Sequence, residues 1–370
     1  MSRGTSARHL QEHLRDIPGR RRHVEVAAQH DPAEAVAALR RIAFLLERRL
    51  GDSYKIKAFR GAAATLLATD PEVVLAHAST GTLTKLDKVG KATATVIEQA
   101  LAAESIDYLA GLEPTAGPLA EPGSTLSALR GDLHSHSDWS DGGSPIQEMV
   151  FTAMELGREY LALTDHSPRL RVANGLSAKR LIQQLEVVDA VNAHLGDAFR
   201  LLRGIEVDIL DDGSLDQDDA LLGQLDVRVA SVHSKLAMEA PAMTRRMIGA
   251  VRNPRTNVLG HVTGRLIKGD RGTRGQSSFD AAAVFEACAE NDVAVEINSR
   301  PERTDPPDDL LQLAIDTGCL FSIDSDAHAP GQLDFLAYGA ARADQLGVDP
   351  ERIVNTWPLD RLLDWAGRRP

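Results

Sequence analysis

Beginning at Asp31, apolar side chains recur at the three- and four-residue spacing of a helix. Asp31-Pro32 supplies a cap and a first-turn proline, and Val36, Leu39, Ile42, Ala43, Leu46 and Leu50 follow on one face. Further short helices are expected to about Leu112. Residues 113–127 then hold three prolines and two glycines with no apolar period, which reads as a linker. Past it the pattern changes to short apolar or β-branched runs, each followed by an amphipathic stretch, as in a parallel sheet with crossover helices. Seven runs are expected, at 129–134, 160–165, 200–207, 227–233, 257–262, 293–299 and 320–324. Between them Ser144-Pro145 and Ser177 open helices whose apolar faces carry Ile146, Val150 and Met154, and Leu181, Leu185 and Val188. The pattern predicts an α/β protein: a distorted, TIM-like (β/α)7 barrel over 128–370, preceded by a small all-α domain over 31–112. An open doubly wound sheet is the competing arrangement.

Composition narrows the class. At 370 residues, 43% apolar and 25% charged, the chain is long enough for two cores, and no apolar run approaches the roughly 18 residues of a membrane span. Cys288 and Cys319 lie in apolar stretches without C-x-x-C spacing, so buried thiols in a reducing, cytoplasmic compartment are expected. The net charge of −12 argues against a surface coated in cations for wrapping nucleic acid. Residues 1–30 differ, with six arginines against Glu12, Asp16 and Glu25; they lack the apolar core of a signal peptide and read as a basic, mobile tail.

Chemistry enters where His, Asp and Glu fall relative to the strands. The first run ends in His134-Ser135-His136, with Asp141 close behind; the second ends in Asp165-His166; the third contains Glu206; the fourth ends in His233 and the fifth in His261; the seventh is followed by Asp326-Ala327-His328. In a β/α barrel these strand ends converge on one face. Because strand side chains alternate with period two, His134 and His136 point to one side, as a chelate requires. The remaining six of the twelve histidines, His9, His13, His23, His30, His77 and His194, lie in the tail or on helices and read as solvated or core residues. Six imidazoles with Asp141, Glu206 and Asp326 exceed the needs of one ion, so two or three are implied, with Glu206 the natural bridge. Nitrogen and oxygen donors without thiolate suit Zn²⁺, Mn²⁺ or Fe²⁺ better than Mg²⁺ or Ca²⁺. Such a cluster activates water and offsets charge on phosphate oxygens, so phosphoester hydrolysis is the simplest outcome.

At these residues the chain from about Leu129 resembles the PHP (polymerase and histidinol phosphatase) family. All nine expected ligand positions are matched: His134, His136, Asp141, His166, Glu206, His233, His261, Asp326 and His328. The resemblance implies three ions, one on His134, His136, Glu206 and Asp326, a second on Glu206, His233 and His261, a third on Asp141, His166 and His328. It also implies catalytic roles for Glu206, Asp326 and Asp141. Within the family the likeness runs to the PHP domain that ends bacterial family X DNA polymerases, a 3′–5′ exonuclease. The phrases that carry it are Val172-Ala173-Asn174-Gly175-Leu176, Ser231-Val232-His233-Ser234, Gly260-His261-Val262-Thr263-Gly264-Arg265-Leu266 and Glu296-Ile297-Asn298. Tyr54-Lys55-Ile56-Lys57-Ala58-Phe59-Arg60 and Leu86-Asp87-Lys88-Val89-Gly90-Lys91 are similar to the helical domain, with its helix-hairpin-helix, that opens those polymerases and grips DNA ends. Between the two regions only residues 113–127 stand in place of the polymerase core, so nucleotidyl transfer is not expected. Val96 occupies the place of the lyase lysine, and Lys88 that of the hairpin's first glycine.

Two functions compete. In one, Lys55, Lys57, Arg60 and Lys91 hold a DNA end while the cluster hydrolyses a terminal phosphoester, as a 3′–5′ exonuclease or 3′-end-processing enzyme of DNA repair. In the other, the substrate is a small phosphomonoester of the histidinol phosphate type. A DNA-end scaffold with a structural metal cluster is a third, non-enzymatic reading. In either enzymatic case Arg169, Arg171, Lys235, Arg265 and Arg303, each a few residues past a strand end, form a candidate phosphate clamp. Glu296 and Asp324 are expected to support the ligands rather than bind metal.

Overall fold

The computed structural model describes residues 31–269 and 272–367; the basic tail expected at 1–30 lies outside them. Two compact units divide between Gly117 and Pro118.

In the first unit, helix α1 (Pro32–Arg48) starts where Asp31 accepts a hydrogen bond from the Ala33 amide at 2.9 Å, with Pro32 in the first turn. Val36, Leu39, Ile42, Ala43 and Leu46 are buried on one face. Leu50 is not among them: the helix has ended, and Leu50 takes a left-handed φ of 52° and is 38% exposed. Helices α2 (Ser53–Ala68) and α3 (Pro71–Ser79) are capped by Asp52 and Asp70, and α4 (Lys91–Leu101) and α5 (Asp107–Leu112) complete the unit. Lys88, standing where a hairpin glycine was expected, adopts a φ of 54°, at a cost of about 1–2 kcal/mol for a residue with a side chain. Its stem lies over Gly61 of α2, where an added Cβ would meet Lys88 carbons at 3.1 and 3.2 Å.

The expected linker is divided between the units. Arg48 ties residues 113–117 to the first unit, its guanidinium donating to the Thr115 carbonyl at 3.3 Å and the Gly117 carbonyl at 2.7 Å. Helix α6 (Ser124–Ala128) belongs to the second, where Thr125 Oγ1 donates to Asp344 at 2.6 Å.

In the second unit, strands β1 (Gly131–Ser135), β2 (Tyr160–Leu163), β3 (Arg200–Asp208), β4 (Val227–Ser231), β5 (Val258–Leu259), β6 (Ala294–Asn298) and β7 (Leu320–Asp324) pair in sequence order, every pair parallel. Helices α7 (Ile146–Glu155), α8 (Ala178–Leu195), α9 (Asp219–Leu222), α10 (Ala240–Val251), α11 (Ala281–Glu290), α12 (Asp308–Thr317) and α13 (Leu336–Leu346) return the chain between strands or beyond them. The fifth expected run, 257–262, shrinks to a two-residue strand, because the chain turns at His261 with a φ of 21°. Period-two alternation sorts the core. Ile205, Val207, Val295 and Ile297 pack with Leu181, Met243, Phe285 and other helix residues. Leu133, Ala162, Leu202, Val229 and Ala294 form a separate cluster with Trp357 and with Leu362 and Trp365 of α14 (Leu359–Gly367).

One expected DNA contact is corrected by packing within the first unit. Arg60 faces Glu47, Nε at 2.8 Å and Nη2 at 2.7 Å from its two oxygens, with side chains 10% and 1% exposed. Its fork is committed to α1, not to a phosphate. Removing the acid takes from a largely buried cation the carboxylate that faces its fork, so Glu47→Ala is expected to destabilise the helical unit by about 3–5 kcal/mol, as for other buried pairs that lose one member. Hydrogen exchange should accelerate across residues 32–112 and stay unchanged in strands β3 and β4; unaltered exchange in α1 and α2 refutes the expectation.

Candidate metal centre

All nine predicted ligands meet at the C-terminal ends of the barrel strands. His134 comes from β1 and Glu206 from β3; His136, Asp141, His166, His233, His261, Asp326 and His328 come from the turns that follow β1, β2, β4, β5 and β7. Glu206 is at the centre, 1% exposed. Its Oε2 lies 3.4 Å from His134 Nε2, 3.6 Å from His136 Nε2 and 2.8 Å from His166 Nδ1. Its Oε1 lies 3.1 Å from His233 Nε2 and 2.8 Å from His261 Nε2. Asp326 Oδ1 is 3.5 Å from His136 Nε2, and Asp141 Oδ1 is 3.4 Å from both His166 Nε2 and His328 Nε2.

Three groups have donor atoms within 4.8 Å of one another: His134, His136 and Asp326; His166, Glu206 and His233; and His136, Asp141, His166 and His328. Relative to the shells implied by family resemblance, His166 stands between two groups and His136 reaches into the outer one.

The ring nitrogens test whether these residues suit a metal. One nitrogen of several imidazoles is anchored. His134 Nδ1 faces Glu296 Oε1 at 2.5 Å, His233 Nδ1 faces Asp208 at 2.7 Å, and His328 Nδ1 faces the Asp326 carbonyl at 2.9 Å. The opposite nitrogens of His134 and His233, and both nitrogens of His136, are buried with no hydrogen-bond partner. An anchored N–H behind a bare lone pair is the arrangement of a metal-bound imidazole, and burying that lone pair unpaired is otherwise unfavourable. The donor set therefore fits divalent cations.

Electrostatics point the same way. Burial, with His328 and His166 beside it, pushes His136 down to about 3, so its imidazole is neutral at neutral pH. Burial would raise Glu206, but His233, His134 and His166 outweigh it and hold the carboxyl well below its usual range. Burial would lower His134, yet Glu296, Glu206 and Asp326 drive it well above an ordinary histidine. The cavity demands positive charge, and a cation meets that demand while leaving the imidazole free to ligate. Asp326 and His261 hold left-handed φ of 50° and 21°, strain of about 1–3 kcal/mol each of the kind found at functional sites.

Behind the ligands stand residues that sequence reasoning passed over. Asp208 holds His233. Asp165 accepts from Ser137 N at 2.9 Å, Ser137 Oγ at 2.6 Å and Gln184 at 2.6 Å. Arg300 reaches the Asp326 carbonyl at 2.8 Å and His328 Nδ1 at 3.1 Å. Asn298 Nδ2 donates to Asp326 at 3.1 Å. Two could have been found by alternation, since Asp208 lies two residues after Glu206 and Asn298 two after Glu296. Glu296 anchors His134 and accepts from the His261 amide at 2.5 Å, and Asp324 accepts from the Leu133 amide at 2.9 Å.

The phosphate clamp separates into parts. Arg303 reaches the cluster, Nε 3.2 Å from Asp326 Oδ2, with Nη1 buried and without a partner. Arg265 is a correction: its guanidinium donates to the carbonyls of Arg303 and Thr304 and so supports that turn. Lys235 is 62% exposed and paired with Asp211. Arg169 and Arg171 are exposed and line a rim pocket with Pro168 and Asp216. On the helical unit Lys55, Lys57 and Lys91 are exposed, unlike Arg60.

Residues 132–300 match the PHP domain and residues 30–106 a helix-hairpin-helix domain. The chain is 38% identical over 234 residues to DNA polymerase/3′-5′ exonuclease PolX of Bacillus subtilis, a match covering 63% of this chain but 40% of that protein. It is 28% identical over 254 residues to a probable phosphatase of Syntrophotalea carbinolica, covering 66% of this chain and 98% of that one. The histidinol phosphate phosphatase of Lactococcus lactis, solved with zinc, L-histidinol and phosphate, aligns at 19% identity and a TM-score of 0.41, over 59% of this chain and 92% of that one. The segment between the two matched regions, 107–131, is too short for a polymerase core.

Stepwise metal loss probes the bridge. Asp141→Ala is expected to release the ion of the outer group alone, whereas Glu206→Ala should empty the two groups its oxygens face. Elemental analysis of each variant, per folded chain, reads the difference; equal losses contradict a bridging Glu206.

Proposed function

The chain is a metal-dependent phosphoesterase built on a PHP domain, with a helix-hairpin-helix domain before it in sequence, and from that premise we propose that it acts on DNA 3′ ends. The reading is a 3′–5′ exonuclease or 3′-end-processing phosphodiesterase of DNA repair in the cytoplasm. The observation that carries it is the pairing of the two domains, with Lys55, Lys57 and Lys91 exposed on the helical one. Among the described residues no helix is long and apolar enough to cross a membrane, and Cys288 and Cys319 are buried and form no disulfide.

Three divalent ions, Zn²⁺ or Mn²⁺ with Fe²⁺ as a further candidate, would be held by the nine ligands. Bound there, they supply Lewis acidity toward water and toward the phosphate oxygens. The chain's own residues do the positioning. Glu206, through its two oxygens, keeps two ligand groups at a fixed separation. Asp326, clamped by Asn298 and Arg303, presents its other oxygen toward His136. Arg303 holds the phosphate through its unpaired Nη1, and Arg265 fixes the turn that carries it. Arg169, Arg171 and Lys235 add positive charge along the rim.

A small phosphomonoester is the second reading. It is favoured by a probable phosphatase that is matched over 98% of its own length by 66% of this chain, leaving almost nothing of that relative outside the match.

Zinc- or manganese-loaded protein, assayed side by side on 3′-labelled single-stranded DNA and on histidinol phosphate, separates the two. The DNA reading expects stepwise shortening of the strand, abolished in Asp326→Ala; turnover of histidinol phosphate alone overturns it. Replacing Lys55 and Lys57 together by Glu should weaken DNA binding and reduce the slope of log affinity against log salt by about 1.4, two phosphate contacts' worth on a single strand. Hydrolysis of a chromogenic monoester should be unaffected.

A further inference from the structure

Six of the seven strand neighbours in the barrel are joined by backbone ladders, and the seventh join, between β7 and β1, is made differently. Among the described residues its backbone pairing is confined to the mouth, where Ser135 and Ala327 bridge and the His136 amide donates to the Ala327 carbonyl at 2.8 Å. Deeper in, side chains take over. The Leu133 amide donates to Asp324 Oδ1 at 2.9 Å, and the Ser325 amide to Asp132 Oδ1 at 3.2 Å. Asn355, fully buried, completes the join. Its Oδ1 accepts from the Ile323 amide at 3.1 Å, its Nδ2 donates to the carbonyls of Gly131 at 3.1 Å and Ile323 at 2.5 Å, and its own carbonyl accepts from the Arg130 amide at 2.9 Å. One residue, delivered by the segment that follows the last barrel helix, thus satisfies backbone groups of both strands where a ladder would have done so.

The metal ligands are distributed unevenly about this seam. His134 and His136 lie on and just past β1, Asp326 and His328 just past β7. The contacts His136 to Asp326, at 3.5 Å, and Asp141 to His328, at 3.4 Å, both span it. Glu206, His233 and His261 stand on or after β3, β4 and β5, which are joined by continuous ladders away from the seam.

We infer that Asn355 is a positioning residue of the metal centre: by fastening β1 to β7 it sets the separation of the ligands that face one another across the seam. The inference rests on the metal reading above. It assigns to Asn355 an effect on the two ligand groups that use Asp326 or His328, and none on Glu206, His233 and His261. A residue that only stabilised the barrel would instead affect all groups alike, through unfolding.

The test is zinc titration of chelator-treated Asn355→Ala and of Asn355→Asp, which keeps the shape and the acceptor but loses both donors. It is run where far-UV circular dichroism matches the wild type. The expected result is a split: sites spanning the seam bind about 10- to 100-fold more weakly, the range for losing a ligand's support, while the strongest remaining site is unchanged. Uniform weakening, or none, overturns the inference. If both variants fail to fold, the wild-type chain decides, because coupling is reciprocal. Loading it with zinc should slow hydrogen exchange at the amides of Arg130, Leu133 and Ile323, and unchanged exchange there overturns the inference too. A wild-type chain that binds no zinc defeats the metal reading itself, a different and recognisable result.

Discussion

A carboxylate buried at 1% exposure among imidazoles is the constraint around which the barrel is arranged. Taking an ionised carboxylate out of water costs several kcal/mol even after relaxation, so Glu206 is tolerable only because imidazoles that can carry or ligate positive charge face both of its oxygens. Two oxygens cannot serve His134, His136, His166, His233 and His261 unless those rings approach from different strands. That requires β1 to β5 to curve round the carboxylate. The left-handed turns at His261 and Asp326 follow from the same demand, since each bends the chain back over the mouth where a straight exit from the strand would carry the ligand away.

Holding those rings needs a layer of its own. Glu296 anchors both His134 and the backbone of His261, Asp208 anchors His233, and Asp165 gathers Ser137 and Gln184 behind the first turn. Below this layer the inward side chains are Leu133, Ala162, Leu202, Val229 and Ala294, with Trp357, Leu362 and Trp365 beneath. Along β6 the change takes two residues, from Ala294 to Glu296. Polar groups so near a dry apolar plug must be paired with one another. The anchored imidazoles are consequently stiff, and a stiff ligand set loses little freedom when it closes on an ion.

How far this was legible in the sequence depends on what set each feature. Most of the nine candidate ligands were legible from strand ends and period-two spacing, with Asp141 close behind the first and the full set matched through the family resemblance, and β7 came out with its observed limits, because local pattern determines both. Side-chain commitments did not. Arg60 reads as a surface cation in a basic helix, yet Glu47, thirteen positions earlier in the chain, claims its fork; Arg265 reads as a phosphate ligand, yet carbonyls of a distant turn take its hydrogens. Leu50 keeps the helical period after the helix has stopped. Asn355 carries no sequence signal, since an asparagine inside a short helical turn, Val354–Thr356, is ordinary until the strands it joins are known. The sequence also spreads residues 113–127 as one linker, whereas Arg48 and Asp344 pull its two ends into different units.

On the proposed reading, division of the chain into two units separates binding from chemistry in a way that bears on substrate choice. The barrel would then hold the reacting phosphate by charge and geometry alone, a recognition that any phosphoester can satisfy. On that reading, selectivity for DNA would come from contacts made away from the reaction, where exposed lysines would add affinity one phosphate at a time and lose it as salt rises. With a net charge of −12, the chain has no general attraction for nucleic acid to fall back on. A few cations on α2 and α4 therefore matter more here than they would in a basic protein. Lys88, standing where a hairpin glycine was expected, takes a left-handed backbone of the kind that favours glycine, with its stem laid over Gly61.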